Sequence, residues 1–371
     1  MFLLTELSRF LLPTLLAGLI SWLVCSVVRR LALARGLVPT PRKRDSHQKP
    51  VPRLGGVGMI FAFIIVLLLT QLLLPHVLWF TTELRLSLDR QVLGIMLGAL
   101  VLLGFGIIDD IKGLSPSWQL TGHVLAALCV VVAGIGIEFI TNPFGGPGAV
   151  MYLTDPTWNI GQLFGYMVTI TPWSDILTIC WLVLMMNVMN WFDGLDGLAG
   201  GVSLIAAVML SILSLLVGSP TGTVAMLLVL AGAIGGFLVW NWHPAKLFMG
   251  TSGSTLLGFV LGVAAVISGG KLATTFIVLG VPIIDAIWVI ISRVRAGRSA
   301  WVADRSHLHH RLLGVGLSVP QTVWVMYLLA IVFGSLALWR NSTVTKIILT
   351  LVLVGLFGIL NRYLIRKTDH A

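Results

Sequence analysis

Asp109 and Asp110 stand side by side at the end of the apolar run VLLGFGII, in a chain where 10% of residues are charged. Carboxylates beside hydrocarbon cost free energy and are rarely kept there without a task. Such a pair can hold a divalent cation, or one member can act as a base while the other binds metal. A solvated helix end explains a lone Asp-Asp pair at least as well, so the pair gains weight from its companions. Asn187, Asn190, Asp193 and Asp196 follow a later apolar run at spacings of three. On a helix that spacing gives one polar stripe, and Gly194 and Gly197 allow a turn or the close approach of a ligand. An ordinary cap and turn explains one Asp and one Gly, but not four polar residues in register.

Three weaker constellations accompany these. Asn241, His243, Lys246 and Phe248 precede the small-residue stretch Gly250 to Ser254. A glycine- and serine-rich turn at a helix start can present N–H groups to phosphate, and Phe248 can stack on a base. Gly and Ser are also common where membrane helices pack closely. His307, His309 and His310, flanked by Arg305 and Arg311, cannot all face one way on a helix. In a loop they suit a pyrophosphate, because arginine forks match phosphate oxygens; a zinc site lacks a completing carboxylate or cysteine. A loop that merely sets topology explains the arginines and leaves the histidines unexplained. The basic stretch from Arg42 to Arg53 reads first as a topology signal in contact with anionic head groups, and Lys49 and Arg53 can also meet an acidic substrate.

These residues must be positioned by an oily framework. The chain has 371 residues, 57% of them hydrophobic, with a mean hydropathy of +0.99. A run of about 20 apolar residues crosses a bilayer as a helix, so the fold class is an all-α, polytopic integral membrane protein forming one transmembrane domain over 1–371. Eleven candidate spans fall at 8–34, 54–75, 91–108, 120–140, 173–189, 197–218, 222–241, 252–269, 272–293, 319–338 and 344–364. The first could pass for a signal sequence, but its apolar stretch is too long and its arginines follow rather than precede it. Cys25, Cys129 and Cys180 all sit in apolar runs and supply neither a disulfide framework nor zinc spacing. Alternating the spans puts eighteen of the 24 Lys and Arg on one side, which marks that side as cytoplasmic. The N-terminus is then outside and the C-terminus cytoplasmic. All the constellations fall on the cytoplasmic side, which points to one polar site at the membrane surface. The outer segment from Thr141 to Pro172, free of Lys and Arg, reads as a hairpin or interfacial segment without assigned function.

The runs HQKPVPRLGG, GIIDDIKGL, NVMNWFDGLDGLAGG, NWHPAKLFMG and DRSHLHHRLL, in that order across nearly the whole chain, resemble the polyprenyl-phosphate N-acetylhexosamine-1-phosphate transferases. The resemblance implies transfer of a sugar-1-phosphate from a UDP-sugar to undecaprenyl phosphate, with release of UMP and with Mg2+ or Mn2+ as cofactor. It implies that Asp109 and Asp110 activate the lipid phosphate, with Asp110 near the metal. It assigns Asn187, Asn190, Asp193 and Asp196 to the nucleotide-sugar and catalytic segment. Asn241 and Phe248 would lie near the nucleoside, His307, His309 and His310 with Arg305 near the diphosphate, and Lys49 in the basic first loop. The HLHH form resembles the branch that starts O-antigen, enterobacterial common antigen or teichoic acid, making UDP-GlcNAc the preferred donor over UDP-MurNAc-pentapeptide. The implied setting is a bacterial cytoplasmic (inner) membrane, multi-pass, with room for a homodimer and no nucleic-acid partner.

One position departs from the family. Thr251 stands where the resemblance places a metal-binding aspartate, and a neutral hydroxyl is a poor replacement on a hard cation. Deliberate inactivation is the preferred explanation, ahead of a natural variant with altered metal dependence or a degenerate enzyme; the chain is expected to fold and bind ligand but turn over poorly. Two other classes compete. A transporter would carry ionisable residues within its spans, and Glu138 and Asp285 are the candidates. A binding-only membrane protein is kept open by Thr251. No internal repeat supports a transporter of inverted halves.

Overall fold

The computed structural model describes residues 9–38, 51–74, 77, 80, 84–85, 88–142, 149–163, 166–268, 272–295, 297, 307–338 and 343–369. Lys49 and Arg305 lie outside the described residues. The helices are α1 (Leu11–Ala34), α2 (Gly55–Leu73), α3 (Arg90–Lys112), α4 (Pro116–Val132), α5 (Pro172–Phe192), α6 (Leu198–Leu216), α7 (Thr221–Asn241), α8 (Gly250–Ile267), α9 (Leu272–Val278), α10 (Gly280–Arg295), α11 (Leu308–Gly314), α12 (Val319–Leu338) and α13 (Thr343–Asp369). Nine of these described helices contain a stretch long and apolar enough to cross a bilayer. The other two expected spans take a different form. The helix α4 has 17 residues, and the run 272–293 is divided at Leu279 into α9 and α10. Pro282 accounts for the division, since its ring has no N–H to give Val278 and crowds the carbonyl four residues back.

Local chemistry sets several ends. Asp89 caps α3 by accepting from Gln91 N at 2.8 Å, and Gly113, at φ +73, closes it. Pro172 opens α5, where Asp175 reaches back to Thr171 N at 2.9 Å. The segment between α4 and α5 forms two antiparallel hairpins among the described residues, β3 (Phe139–Thr141) with β4 (Val150–Tyr152) and β5 (Trp158–Leu163) with β6 (Tyr166–Ile170). A shorter pairing, β1 (Leu84–Arg85) with β2 (Leu88–Asp89), precedes α3.

Helix α8 is the hub: 83% of its apolar window is buried, against 22% for α1. It packs on α5, α3 and α2, while α1 lies along α7. Leu12, Leu15, Leu19 and Leu23 of α1 face outward, as an outer helix in lipid requires. The hub matters because its first turn carries Thr251 and Ser252 into the end of the bundle where the polar residues gather.

Candidate active site

Helices α3 and α8 approach backbone to backbone at Gly106, where an added Cβ would fall 2.4 Å from Ser252 Cα. One turn further along α3, the two carboxylates meet the first turn of α8. Thr251 N and Ser252 N donate to Asp110 at 2.7 and 3.3 Å, and Ser252 Oγ adds a third bond at 2.9 Å. Asp109 accepts from Thr251 Oγ1 at 2.5 Å, Leu114 N at 2.6 Å and Gln119 Nε2 at 3.0 Å. The N–H groups of this glycine- and serine-rich turn, expected to face a phosphate, are thus directed at Asp110, where the positive end of the helix dipole favours a carboxylate. These six donors are all uncharged.

The four-residue polar stripe expected from Asn187 to Asp196 is interrupted. Helix α5 ends at Phe192, Asp193 occupies its cap position, and Gly197 takes φ +77 before α6 begins. Only Asn187 and Asn190 share the helical face. Asn187 Nδ2 donates to Val183 O at 2.8 Å and lies 3.3 Å from His123 Nδ1. Asn190 Oδ1 accepts from Ser254 Oγ at 2.9 Å, tying α5 to α8. Asp196 is buried, pairs with His243 Nδ1 at 2.8 Å and accepts from Ala245 N at 3.1 Å.

Asp193 is half-buried and its carboxyl is pushed up to about 7. Desolvation is the largest cause, and the charges of Asp110 and Asp196 add to it while Arg53 pulls the other way. A proton held more tightly when folded than when unfolded stabilises at low pH. The contribution of Asp193 is therefore present near pH 4 and lost as pH rises to about 7. Asp193→Asn is expected to flatten that fall in thermal unfolding between pH 5 and 8; an unchanged slope would contradict the assignment.

Asn241, implied to lie near the nucleoside, has another task visible in the structure. It is buried, its Oδ1 accepts from Gly197 N at 2.9 Å, and its Nδ2 donates to Leu247 O at 3.0 Å. It clasps the Asp196 turn to the segment after α7. Asn241→Ala leaves both backbone groups unpaired and is expected to cost about 2–4 kcal/mol of stability, read by thermal unfolding; a loss confined to nucleotide affinity would instead favour a purely ligand-facing side chain. Phe248 is half-buried, and its backbone stitches the first loop into the site: Phe248 N donates to Pro52 O at 2.8 Å and Gly55 N to Phe248 O at 2.9 Å.

The histidine segment closes the arrangement. His309 is fully buried in a T-shaped contact with Phe192, and its ring stacks on His307 at 5.5 Å between centroids and tilts against His310 at 4.3 Å. At Gly194 an added Cβ would lie 2.4 Å from His309 Nε2, so the ring rests directly on the acidic turn. Burial, then the neighbouring His310 and His307, hold His309 well below the ordinary imidazole range and hence neutral. Asp285 is buried and bonded to His307 and Leu308, which removes it from any free ionisable pathway. Glu138 is exposed beside the β3–β4 hairpin, far along the chain from these contacts.

Several participants carried only faint sequence signals. Gln119 and His123 lie four apart on α4, a spacing that marks one polar face in an otherwise apolar helix. Among the described residues, no group of three or more His, Cys, Asp or Glu is placed to hold an ion. The donors that do gather, Asp109, Asp110 and the Thr251 hydroxyl, are hard oxygens. They suit magnesium, which keeps several waters and takes one or two carboxylates together with substrate phosphates.

Residues 92–269 match the family described as Glycosyl transferase family 4. The chain is 31% identical to the decaprenyl-phosphate N-acetylglucosaminephosphotransferase of Mycobacterium tuberculosis (strain CDC 1551 / Oshkosh), over 87% of this chain and 80% of that one. It is 30% identical to the probable undecaprenyl-phosphate N-acetylglucosaminyl 1-phosphate transferase of Bacillus subtilis, over 94% and 90%. The chain belongs to the polyprenyl-phosphate N-acetylhexosamine-1-phosphate transferase family. As a member it is a phosphoglycosyl transferase built on membrane-spanning helices. It is also 26% identical to the undecaprenyl-phosphate alpha-N-acetylglucosaminyl 1-phosphate transferase of Yersinia pestis, over 82% and 77%. The span 92–269 runs from α3 to the end of α8, so the transferase signature contains the acid pair, the Asp193–Asp196 turn and Thr251.

Proposed function

We propose that this transferase moves N-acetylglucosamine-1-phosphate from UDP-GlcNAc to undecaprenyl phosphate at the cytoplasmic face of the bacterial inner membrane, the first step towards a cell-surface glycan. The observation that carries the reading is the convergence of four sequence-distant segments on α8 and the Asp193 turn. Asp109 and Asp110 meet Thr251 and Ser252, Asn190 meets Ser254, Asp196 meets His243, and His309 rests on Gly194. The sugar donor is water-soluble and the acceptor is lipid-bound, so the reaction belongs where bilayer and cytosol meet. Orientation is supported by the cations at this end: Arg29 Nε donates to Lys246 O at 3.2 Å, and Lys112 ends α3. Arg90 begins α3 at the other end of the bundle.

In the proposed step an oxygen of the lipid phosphate attacks the β-phosphorus of the UDP-sugar. The new P–O bond forms as the bond to UMP breaks, and UMP leaves with the electron pair. Asp109 or Asp110 takes the proton of the lipid phosphate when it arrives protonated. Arg53 lies in the field of Asp193 and offsets charge on the incoming phosphates. Magnesium, held by Asp110 with Asp109 beside it, would supply charge stabilisation on the phosphoryl oxygens. Thr251 weakens that hold. A two-step route through an aspartyl intermediate is separated by trapping a covalent adduct.

The test is transfer from radiolabelled UDP-GlcNAc, UDP-GalNAc and UDP-MurNAc-pentapeptide to undecaprenyl phosphate, by this chain and by Thr251→Asp. GlcNAc-specific formation of the lipid diphosphosugar with UMP is expected. No lipid product from any donor with either protein, or uptake into proteoliposomes instead, would overturn the reading.

A further inference from the structure

Asp285 is an ionisable group with no role in the mechanism so far. It sits on α10, 22 residues before His307, with 1% of its surface exposed. A carboxylate buried this deeply is tolerated only when its oxygens are bonded. Both are: Oδ2 lies 2.7 Å from His307 Nδ1, and Oδ1 accepts from Leu308 N at 2.8 Å. Bonding to a carboxylate requires Nδ1 to carry the proton, which leaves Nε2 as the ring nitrogen available to a ligand. The second bond fixes the backbone at the start of α11, and with it the spacing between the three rings. His307 then stacks on His309 with an interplanar angle of 15°, and His309 rests on Gly194 beside Asp193. Arg311 Nη1, on the same short helix, is held by Asn361 Oδ1 at 2.9 Å. A chain of defined contacts thus runs from α10 through two imidazoles to the acidic turn.

We propose that Asp285 is a positioning residue of the transfer site, fixing the Nδ1–H tautomer of His307 and the seat of the histidine segment against the Asp193–Gly194 turn. The inference rests on the transferase reading, because the consequence of the tautomer is the placement of His307 Nε2 for the diphosphate of the donor. Asp285 touches no substrate and acts through His307. Its burial also explains why the residue resembles a transport acid in sequence and has no such freedom in the fold.

The test compares the parent, Asp285→Asn and Asp285→Glu, each alone and with Thr251→Asp, as full chains in nanodiscs. Asparagine offers one accepting oxygen where aspartate offers two, so it can satisfy Leu308 N and must then turn its amide N–H towards His307 Nδ1. In histidine-labelled protein, the nitrogen spectrum of Asp285→Asn is expected to lose one Nδ1–H imidazole and gain an Nε2–H form, with thermal unfolding close to the parent. In the Thr251→Asp background, kcat is expected to fall about 10- to 100-fold, by analogy with the loss when a carboxylate behind a metal-bound histidine is removed, with KM for UDP-GlcNAc changed less than about threefold. Asp285→Glu, which keeps the charge, is expected to recover part of the loss. An unchanged imidazole spectrum would overturn the proposal, as would a switched tautomer with transfer within about twofold of the control. Absence of transfer in every variant, with the tautomer switch present, would strike the transferase reading and leave the Asp285–His307 pairing standing.

Discussion

Thr251→Asp is expected to raise sugar-phosphate transfer in magnesium by about 10²-fold or more, since one added metal contact is worth several kcal/mol of charge stabilisation. The structural reason is the position of the side chain. Thr251 Oγ1 now donates to Asp109 at 2.5 Å, and Thr251 N binds Asp110. An aspartate at that place removes the donated proton and adds a negative charge beside two carboxyl groups already in contact with this residue. Like charges about 4 Å apart repel by about 4 kcal/mol at an effective dielectric near 20. Without a cation the variant is therefore expected to unfold at lower temperature than the parent. With magnesium its midpoint is expected to recover, while the parent, whose acid pair is satisfied by uncharged donors, responds little. Equal activity of parent and variant across magnesium concentrations, together with equal thermal response, would show that Thr251 does not limit the chain.

Gly194→Ala is expected to reduce transfer about 10²-fold or more without changing a single charge. Its added methyl group would stand 2.4 Å from His309 Nε2, a distance no packed pair sustains. Either the ring withdraws or the Asp193 turn shifts, and a displacement near 1 Å at a reacting centre costs on this order in rate. Overpacking of this kind costs about 1–3 kcal/mol of stability, small enough for the protein to remain folded. Normal transfer by a folded Gly194→Ala would mean that the histidine segment and the turn need not touch during the reaction.

Much of the framework was legible because one rule dominates it: an apolar run of sufficient length has few alternatives to a spanning helix. Most of the expected spans match helices closely, and the division at Leu279 follows from Pro282, a residue visible in the sequence. The site was legible by type but less so by role. Asp109 and Asp110 stand out because they are costly where they are. The family resemblance places Asn241 near the nucleoside, and the fold adds what the sequence does not show, that Gly197 N and Leu247 O occupy both ends of its amide. The stripe from Asn187 to Asp196 breaks after Phe192, where α5 ends and Asp193 takes the cap position, because helical spacing no longer sets the facing of Asp193 and Asp196. Asp285 and His307 illustrate the harder limit. Their spacing along the chain carries no period, so only folding reveals that a buried acid serves a histidine on another element. Lys49 and Arg305 fall outside the described residues.

The most direct measurement of the convergence is a cross-link across the two segments that share least sequence. In a chain with Cys25, Cys129 and Cys180 replaced by serine, Gly194→Cys and His309→Cys are introduced together and mild oxidant is applied in membranes. Rapid, near-complete disulfide formation is expected, blocked by a thiol reagent that reaches the protein only from the cytoplasmic side. Failure of this pair to join, although both cysteines prove free and reactive once the protein is unfolded in detergent, would mean that the histidines and the acidic turn do not form one site.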